Sequence, residues 1–183
     1  FDTVYHEHLS YFSVSALSRF FEGAGMKIID VERVASHGGS LRVFVKKKSA
    51  TGSPSAAMQE LLALEELKGL REERVYLEYK LRILENRAKL LSLLTGLKRS
   101  GKRIAGYGAP AKGNTLLNFF SIGTELLDYI VDDSKLKQGR HTPGKRIPVV
   151  SSQLLVDSPP DYLLILAWNF APSIIAKNEA FKK

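Results

Sequence analysis

The 183-residue chain has no cysteine, which excludes disulfides and thiolate metal sites within it and agrees with a reducing, cytoplasmic setting. No uninterrupted apolar run approaches the roughly 20 residues that a membrane-spanning helix needs, so no membrane partner is expected. The opening residues, Phe1-Asp-Thr-Val-Tyr-His-Glu-His8, lack the basic start and apolar stretch of a signal peptide. They also begin at Phe rather than Met, and the chain is read as a piece of a longer protein. No internal repeat or low-complexity tract is present.

What is there is ordinary for a globular protein: 44% hydrophobic and 25% charged residues, in a length that holds one or two domains. The formal charge of +8 points to anionic partners, either nucleic acid or small phosphorylated ligands. Lys46-Lys47-Lys48 is the densest basic cluster, but it ends a strand-like segment and no aromatic residues interleave it. A single-strand-binding face requires such aromatics, so nucleic acid is set aside.

Three segments follow one another. In residues 1–48, Ser13 is a helix N-cap, Leu17, Phe20 and Phe21 share a face, and Gly23 or Gly25 stops the helix. Two strands are expected, from Lys27 to Val34 and from Ser40 to Lys46. One helix and two strands are too little to bury a core alone. Residues 49–101 begin with a polar linker, Ala50-Thr-Gly-Ser-Pro-Ser, and continue as a helical stretch from about Ser55 to Leu97 with a break at Gly69. Leu77, Leu81, Leu84, Ala88 and Leu91, with Tyr76, Tyr79, Ile83, Leu90, Leu94 and Leu97, form an apolar face wider than a coiled-coil seam. It is read as a connector packed between domains, with a dimerising helix as the alternative. In residues 102–183 apolar strands alternate with helices: strands at Arg103–Gly106, Leu127–Asp133, Arg146–Val150 and Tyr162–Trp168, with a last helix opened by Pro172. This pattern predicts an α/β fold, a Rossmann-like parallel sheet covered on both faces.

Gly106-Tyr-Gly108-Ala109-Pro-Ala111 fits the pattern G-x-G-x-x-G/A, after a strand and before a helix. Such a turn lets backbone approach a diphosphate, whose charge the helix N-terminus meets. Lys112, Asn114 and Asp132 (or its neighbour Asp133) are candidate phosphate and ribose contacts. Arg140, in the loop Gln138-Gly-Arg-His-Thr-Pro-Gly144, is a candidate bidentate phosphate ligand. Asn169 lies at the carboxyl end of the last strand, where open α/β sheets bind ligands, whereas Trp168 is read as core. The turn alone does not distinguish NAD, FAD and a nucleotide-sugar.

Tyr5-His6-Glu7-His8 is the other concentration of chemistry. In an extended segment His6 and His8 share one side, and a turn changes that geometry. H-x-H with one carboxylate makes a weak metal site, and no metal is assigned. General acid-base chemistry matches better, since histidine titrates near neutrality and a neighbouring phenol or carboxylate can assist it.

Four stretches occur in order: Tyr5-His-Glu-His-Leu-Ser-Tyr-Phe-Ser, His37-Gly-Gly-Ser-Leu-Arg, Gly106-Tyr-Gly-Ala-Pro-Ala-Lys-Gly and Gln138-Gly-Arg-His-Thr-Pro-Gly. Together they resemble the nucleotide-sugar C-methyltransferases of deoxysugar biosynthesis, including the sugar C-3′-methyltransferases. The resemblance implies a zinc-binding N-terminal domain and a central domain that binds S-adenosyl-L-methionine (SAM), both largely upstream of this chain. It makes residues 1–48 the tail of the methyl-donor domain and residues 102–183 the part that grips a nucleotide-diphosphate sugar, dTDP-linked. It implies His8 as base, with Tyr5 and Glu7 assisting, and His37, Gly106, Gly108, Ala109, Lys112, Asn114, Asp132, Arg140 and Asn169 toward the substrate. A chain lacking the donor loop is expected to be inactive alone. The competing readings are an NAD-dependent oxidoreductase and a non-enzymatic nucleotide-binding module.

Overall fold

The computed structural model describes residues 1–181. The chain divides into two compact units, one of Ser10–Arg82 and one that joins Phe1–Leu9 to the residues from Ile83 onward. The opening nine residues therefore belong to the same unit as the glycine turn, although 97 positions or more separate them in sequence.

In the first unit, α1 (Val14–Gly23) starts at Ser13, whose hydroxyl accepts from the Ala16 amide at 3.2 Å. Its first two amides, Val14 and Ser15, donate to the two carboxylate oxygens of Glu65 at 2.7 and 2.8 Å. A negative side chain at a helix N-terminus satisfies orphan donors and complements the helix dipole. The antiparallel pair β1 (Met26–Val34) and β2 (Ser40–Lys47) follows, with an irregularity between Ile28 and Asp30. There the Ile29 carbonyl accepts the Ser55 amide and Asp30 Oδ1 accepts the Ser55 hydroxyl at 2.5 Å. Ser55 also caps α2 (Ala56–Leu67), so this one serine fixes where α2 starts on the hairpin. Val14, Ile28, Val31 and Met58 form the buried centre, with Leu61 and Leu62 of α2 packed on it. The hairpin and α1 thus gain their core from a helix that the sequence assigns to a connector.

Gly69, at φ +64°, ends α2, and α3 (Glu73–Arg99) follows. Leu90, Leu91, Leu94 and Leu97 of α3 pack on the sheet of the second unit. Tyr76, Leu77, Tyr79 and Leu81 stay exposed, because periodicity marks a face and does not supply a partner for it.

The second unit is a four-stranded parallel sheet in the order β5–β4–β3–β6, where β3 is Ile104–Tyr107, β4 Tyr129–Val131, β5 Val149–Val150 and β6 Tyr162–Ile165. Alternate residues face opposite layers. Ile104, Ile130, Leu164 and Leu166 meet α3 and α4 (Ala111–Phe120) on one side. Tyr107, Val131, Leu163 and Ile165 meet α5 (Leu154–Asp157) and α6 (Ala171–Lys177) on the other. The expected Rossmann-like α/β sheet is present. Its third strand is shorter than expected, because Arg146 takes φ +52° and Thr142 closes residues 142–147 into a turn through its amide and its hydroxyl, which accepts from Ile147. Among the described residues no helix is long and apolar enough to cross a membrane.

Candidate functional site

The strand order sets the location. The chain leaves β3 toward β4 on one side and returns through β6 on the other, which makes the gap between β3 and β6 a topological switch point. At the carboxyl ends of these strands lies a cavity of about 360 Å³, bordered by Gly108, Asp133, Lys137, Phe170, Ser173 and Lys177 among others.

The two glycines of the turn serve packing first. A Cβ on Gly106 would stand 2.8 Å from Ile130 Cγ1 and 3.2 Å from Leu166 Cδ1, so its missing side chain lets the sheet close. Gly108 has φ +83°, and a Cβ there would lie 2.6 Å from Ala167 Cβ. The next amide, Ala109 N–H, donates to Asp132 Oδ2 at 2.8 Å. Asp132 also accepts from the Ser134 amide at 2.9 Å and from Lys137 Nζ at 3.0 Å, and it is buried. Burial pushes its carboxyl up, but the Ala109 and Ser134 amides and the Lys137 ammonium together hold it below the usual carboxylate range. Asp132 therefore borders the cavity as the clamp of the glycine turn. Its neighbour Asp133 accepts from Lys177 Nζ at 2.8 Å and from the Tyr107 hydroxyl at 3.2 Å, and the Lys177 ammonium keeps its carboxyl low. Sequence reasoning missed Lys137 and Lys177; nothing in the spacing announces that a lysine of the turn after β4 and one at the end of α6 converge on consecutive aspartates.

Beside the same turn stands a second group of side chains. Helix α4 begins at Pro110 without a side-chain cap. Lys112, in its first turn, donates to Asn169 Oδ1 and lies 4.5 Å from the centroid of the Trp168 ring. No carboxylate pairs with Lys112 among the described residues. Trp168, expected in the core, is half exposed, because the strand has already ended at Ile165 and a 3-10 turn (Trp168–Phe170) lifts the ring out of the sheet. Asn114 follows in α4, half-buried. Arg140 is exposed and does not border the cavity; its backbone pairs with Lys137 and Val149.

The opening segment lies in this same unit as two turns, closed by Val4 N–H to the Phe1 carbonyl and His8 N–H to the Tyr5 carbonyl, both 2.9 Å. The turns replace the extended alternation and bring Tyr5 and His8 together. The Tyr5 hydroxyl sits 3.4 Å from His8 Nε2 and 3.2 Å from Glu7 Oε2. His8 Nδ1 lies 3.1 Å from the Thr3 carbonyl. A carbonyl only accepts, so in the neutral ring the proton sits on Nδ1 and the lone pair on Nε2, beside the phenol. His6 is exposed, 3.9 Å from Glu7. His37 falls in the 3-10 turn Ser36–Gly38 between β1 and β2, and its side chain lies outside the described residues.

Fold and site together define a Rossmann-like unit that carries a phenol–imidazole pair. The chain belongs to the C-methyltransferase C-terminal domain family, whose profile matches residues 35–183. It is 42% identical over 181 residues to the C-methyltransferase NovU of Streptomyces niveus, an alignment that covers 99% of this chain and 43% of that protein. The chain thus spans less than half the length of this relative.

Neither group implied by the resemblance fits the residues present. SAM carries a sulfonium cation, whereas the cavity presents Lys137 and Lys177, and its two carboxylates are engaged, Asp132 by three donors and Asp133 by Lys177 and Tyr107. For zinc, the described residues gather no set of three or more His, Asp or Glu side chains placed to hold a metal ion.

Proposed function

We propose that this chain is the substrate-binding part of a SAM-dependent C-methyltransferase that acts on a nucleotide-linked keto-deoxysugar, dTDP-linked, in the cytoplasm. One observation carries the reading. A half-buried lysine, Lys112, with no carboxylate partner among the described residues stands at the uncapped start of α4, in the same compact unit as a histidine whose Nε2 lone pair is set beside a tyrosine hydroxyl. A diphosphate supplies the anion that Lys112 and the first amides of α4 lack. The cavity at the ends of β3, β4 and β6 then takes the nucleoside; Asp132 and Asp133 both border it, and Asp133, the exposed one of the two, meets its hydroxyl groups.

The chemistry assigned to the chain's own residues is proton removal. A ketone acidifies the adjacent C–H; His8 Nε2 takes that proton, the C–H electron pair becomes the enolate double bond, and the carbonyl electrons move onto oxygen. The Tyr5 hydroxyl, whose one proton goes to Glu7 Oε2 here, turns it to that oxygen in the substrate complex, with Glu7 orienting the phenol beforehand. The methyl donor is held mainly by residues upstream of this chain, with zinc in a separate N-terminal domain, so turnover requires both parts. His37, Asn114 and Arg140 remain substrate contacts in this proposal, through the assembled protein. In the enzyme with its donor-binding part, His8→Asn should lower kcat by about 10²–10⁴-fold with the KM for the sugar nucleotide little changed. Undiminished turnover would remove His8 as the base.

A further inference from the structure

Asp2 has no part in the chemistry above, yet it is one of the few buried charged side chains, at 7% exposure. A carboxylate withdrawn from water is costly unless a donor meets it. Here the indole N–H of Trp168 donates to Asp2 Oδ2 at 2.5 Å, across 166 residues of sequence. Trp168 is itself the residue over which Lys112 lies, and Asn169 beside it accepts from the same ammonium. The segment has two further fastenings nearby: the Val4 carbonyl accepts from Thr115 Oγ1 of α4 at 3.3 Å, and Phe1 stacks on Phe120 at 5.2 Å between ring centroids. A half-exposed tryptophan contributes little to a core; this one offers its ring to Lys112 and its N–H to Asp2.

We infer that Asp2 is a positioning residue. Its hydrogen bond to Trp168 ties the turn that carries Tyr5 and His8 to the end of β6 where Lys112 and Asn169 stand. The anion-binding side and the proton-accepting side of one substrate are thereby held at a set separation, the condition under which a small displacement of a reacting group costs most. The purpose assigned to the link rests on the nucleotide-sugar reading; the link itself does not.

The test uses the whole chain, its Asp2→Ala, Asp2→Asn and Trp168→Phe variants, and the Asp2→Ala/Trp168→Phe pair. Hydrogen exchange at the Val4 and His8 amides, which close the two turns, should quicken about ten- to hundredfold in Asp2→Ala and in Trp168→Phe, the factor that a hydrogen bond to a charged group represents. The double variant should be no faster than either single one, since both remove the same bond. Asp2→Asn, which keeps an acceptor oxygen, should fall between. Exchange in β3 and β4 should stay as in the parent. With dTDP added, the ring-proton resonance of His8 should shift in the parent and stay still in Asp2→Ala while dTDP still binds, a separation that a merely structural role would not produce. Unchanged exchange at Val4 and His8 in Trp168→Phe overturns the inference, including the case in which Asp2→Ala unfolds the unit. A dTDP-insensitive parent in which the exchange results hold overturns the nucleotide-sugar reading and leaves the link standing.

Discussion

Replacing Asp132 by Ala should unseat the glycine turn, and the size of the effect follows from its partners. The substitution strands the Ala109 and Ser134 amides, which donate to its two oxygens at 2.8 and 2.9 Å in a place where the carboxylate is 8% exposed. An unsatisfied buried donor costs about 1–3 kcal/mol, so the two amides together account for about 2–6 kcal/mol. Lys137 returns to water and adds little, as expected of a half-exposed ion pair. Taking about 4 kcal/mol as the centre, the Tm of a domain of this class falls by about 16–32 °C. The pH dependence has a definite sign. The folded carboxyl lies below its ordinary value, so its stabilisation is full above the unfolded value of about 3.9 and is lost as pH falls through the folded value. The gap between parent and variant should be constant from about pH 5 to 7 and shrink below about pH 4. Urea unfolding followed by the emission of Trp168, the single tryptophan, reports this unit directly. A variant within about 0.5 kcal/mol of the parent at pH 7 would refute the clamp, since surface substitutions fall in that range.

Three further outcomes are expected. Gly108→Ala combines a left-handed φ with a 2.6 Å approach to Ala167 Cβ and should cost the same unit about 2–4 kcal/mol; an unchanged urea midpoint would show that the turn adapts freely. Glu65→Ala leaves the Val14 and Ser15 amides without acceptors and should lower protection at the start of α1 by about 2–5 kcal/mol, read by hydrogen exchange because the other unit has no tryptophan; protection equal to the parent would mean that water replaces the carboxylate at no cost. Lys112→Ala should weaken dTDP at least about tenfold with the urea midpoint unchanged, and parental affinity would move the anion site elsewhere.

The elements were legible wherever a local rule decides them. Ser13 caps a helix, a second helix starts at about Ser55, Gly69 breaks one at φ +64°, and Gly106 to Ala111 is a strand–turn–helix as its pattern requires. What escaped depends on contacts distant in sequence. Glu65 reaches α1 across about 50 residues, Asp132 reaches Ala109 across 23, and Asp2 reaches Trp168 across 166. Periodicity cannot register such pairs, and so Asp132 reads in sequence as a free ribose ligand and Trp168 as core. Tyr5 and His8 were legible as chemistry but not as a pair, because only the turn closed by the His8 amide sets the phenol beside Nε2. The glycines illustrate a subtler point: their spacing anticipated a ligand turn, and the packing of Ile130, Leu166 and Ala167 against them already demands glycine.

The most direct measurement is isothermal titration of the chain with dTDP, NAD and SAM in separate runs. The account predicts saturable binding of dTDP alone, lost in Lys112→Ala. Tight binding of NAD without binding of dTDP would contradict it and turn the glycine turn into a redox-cofactor site.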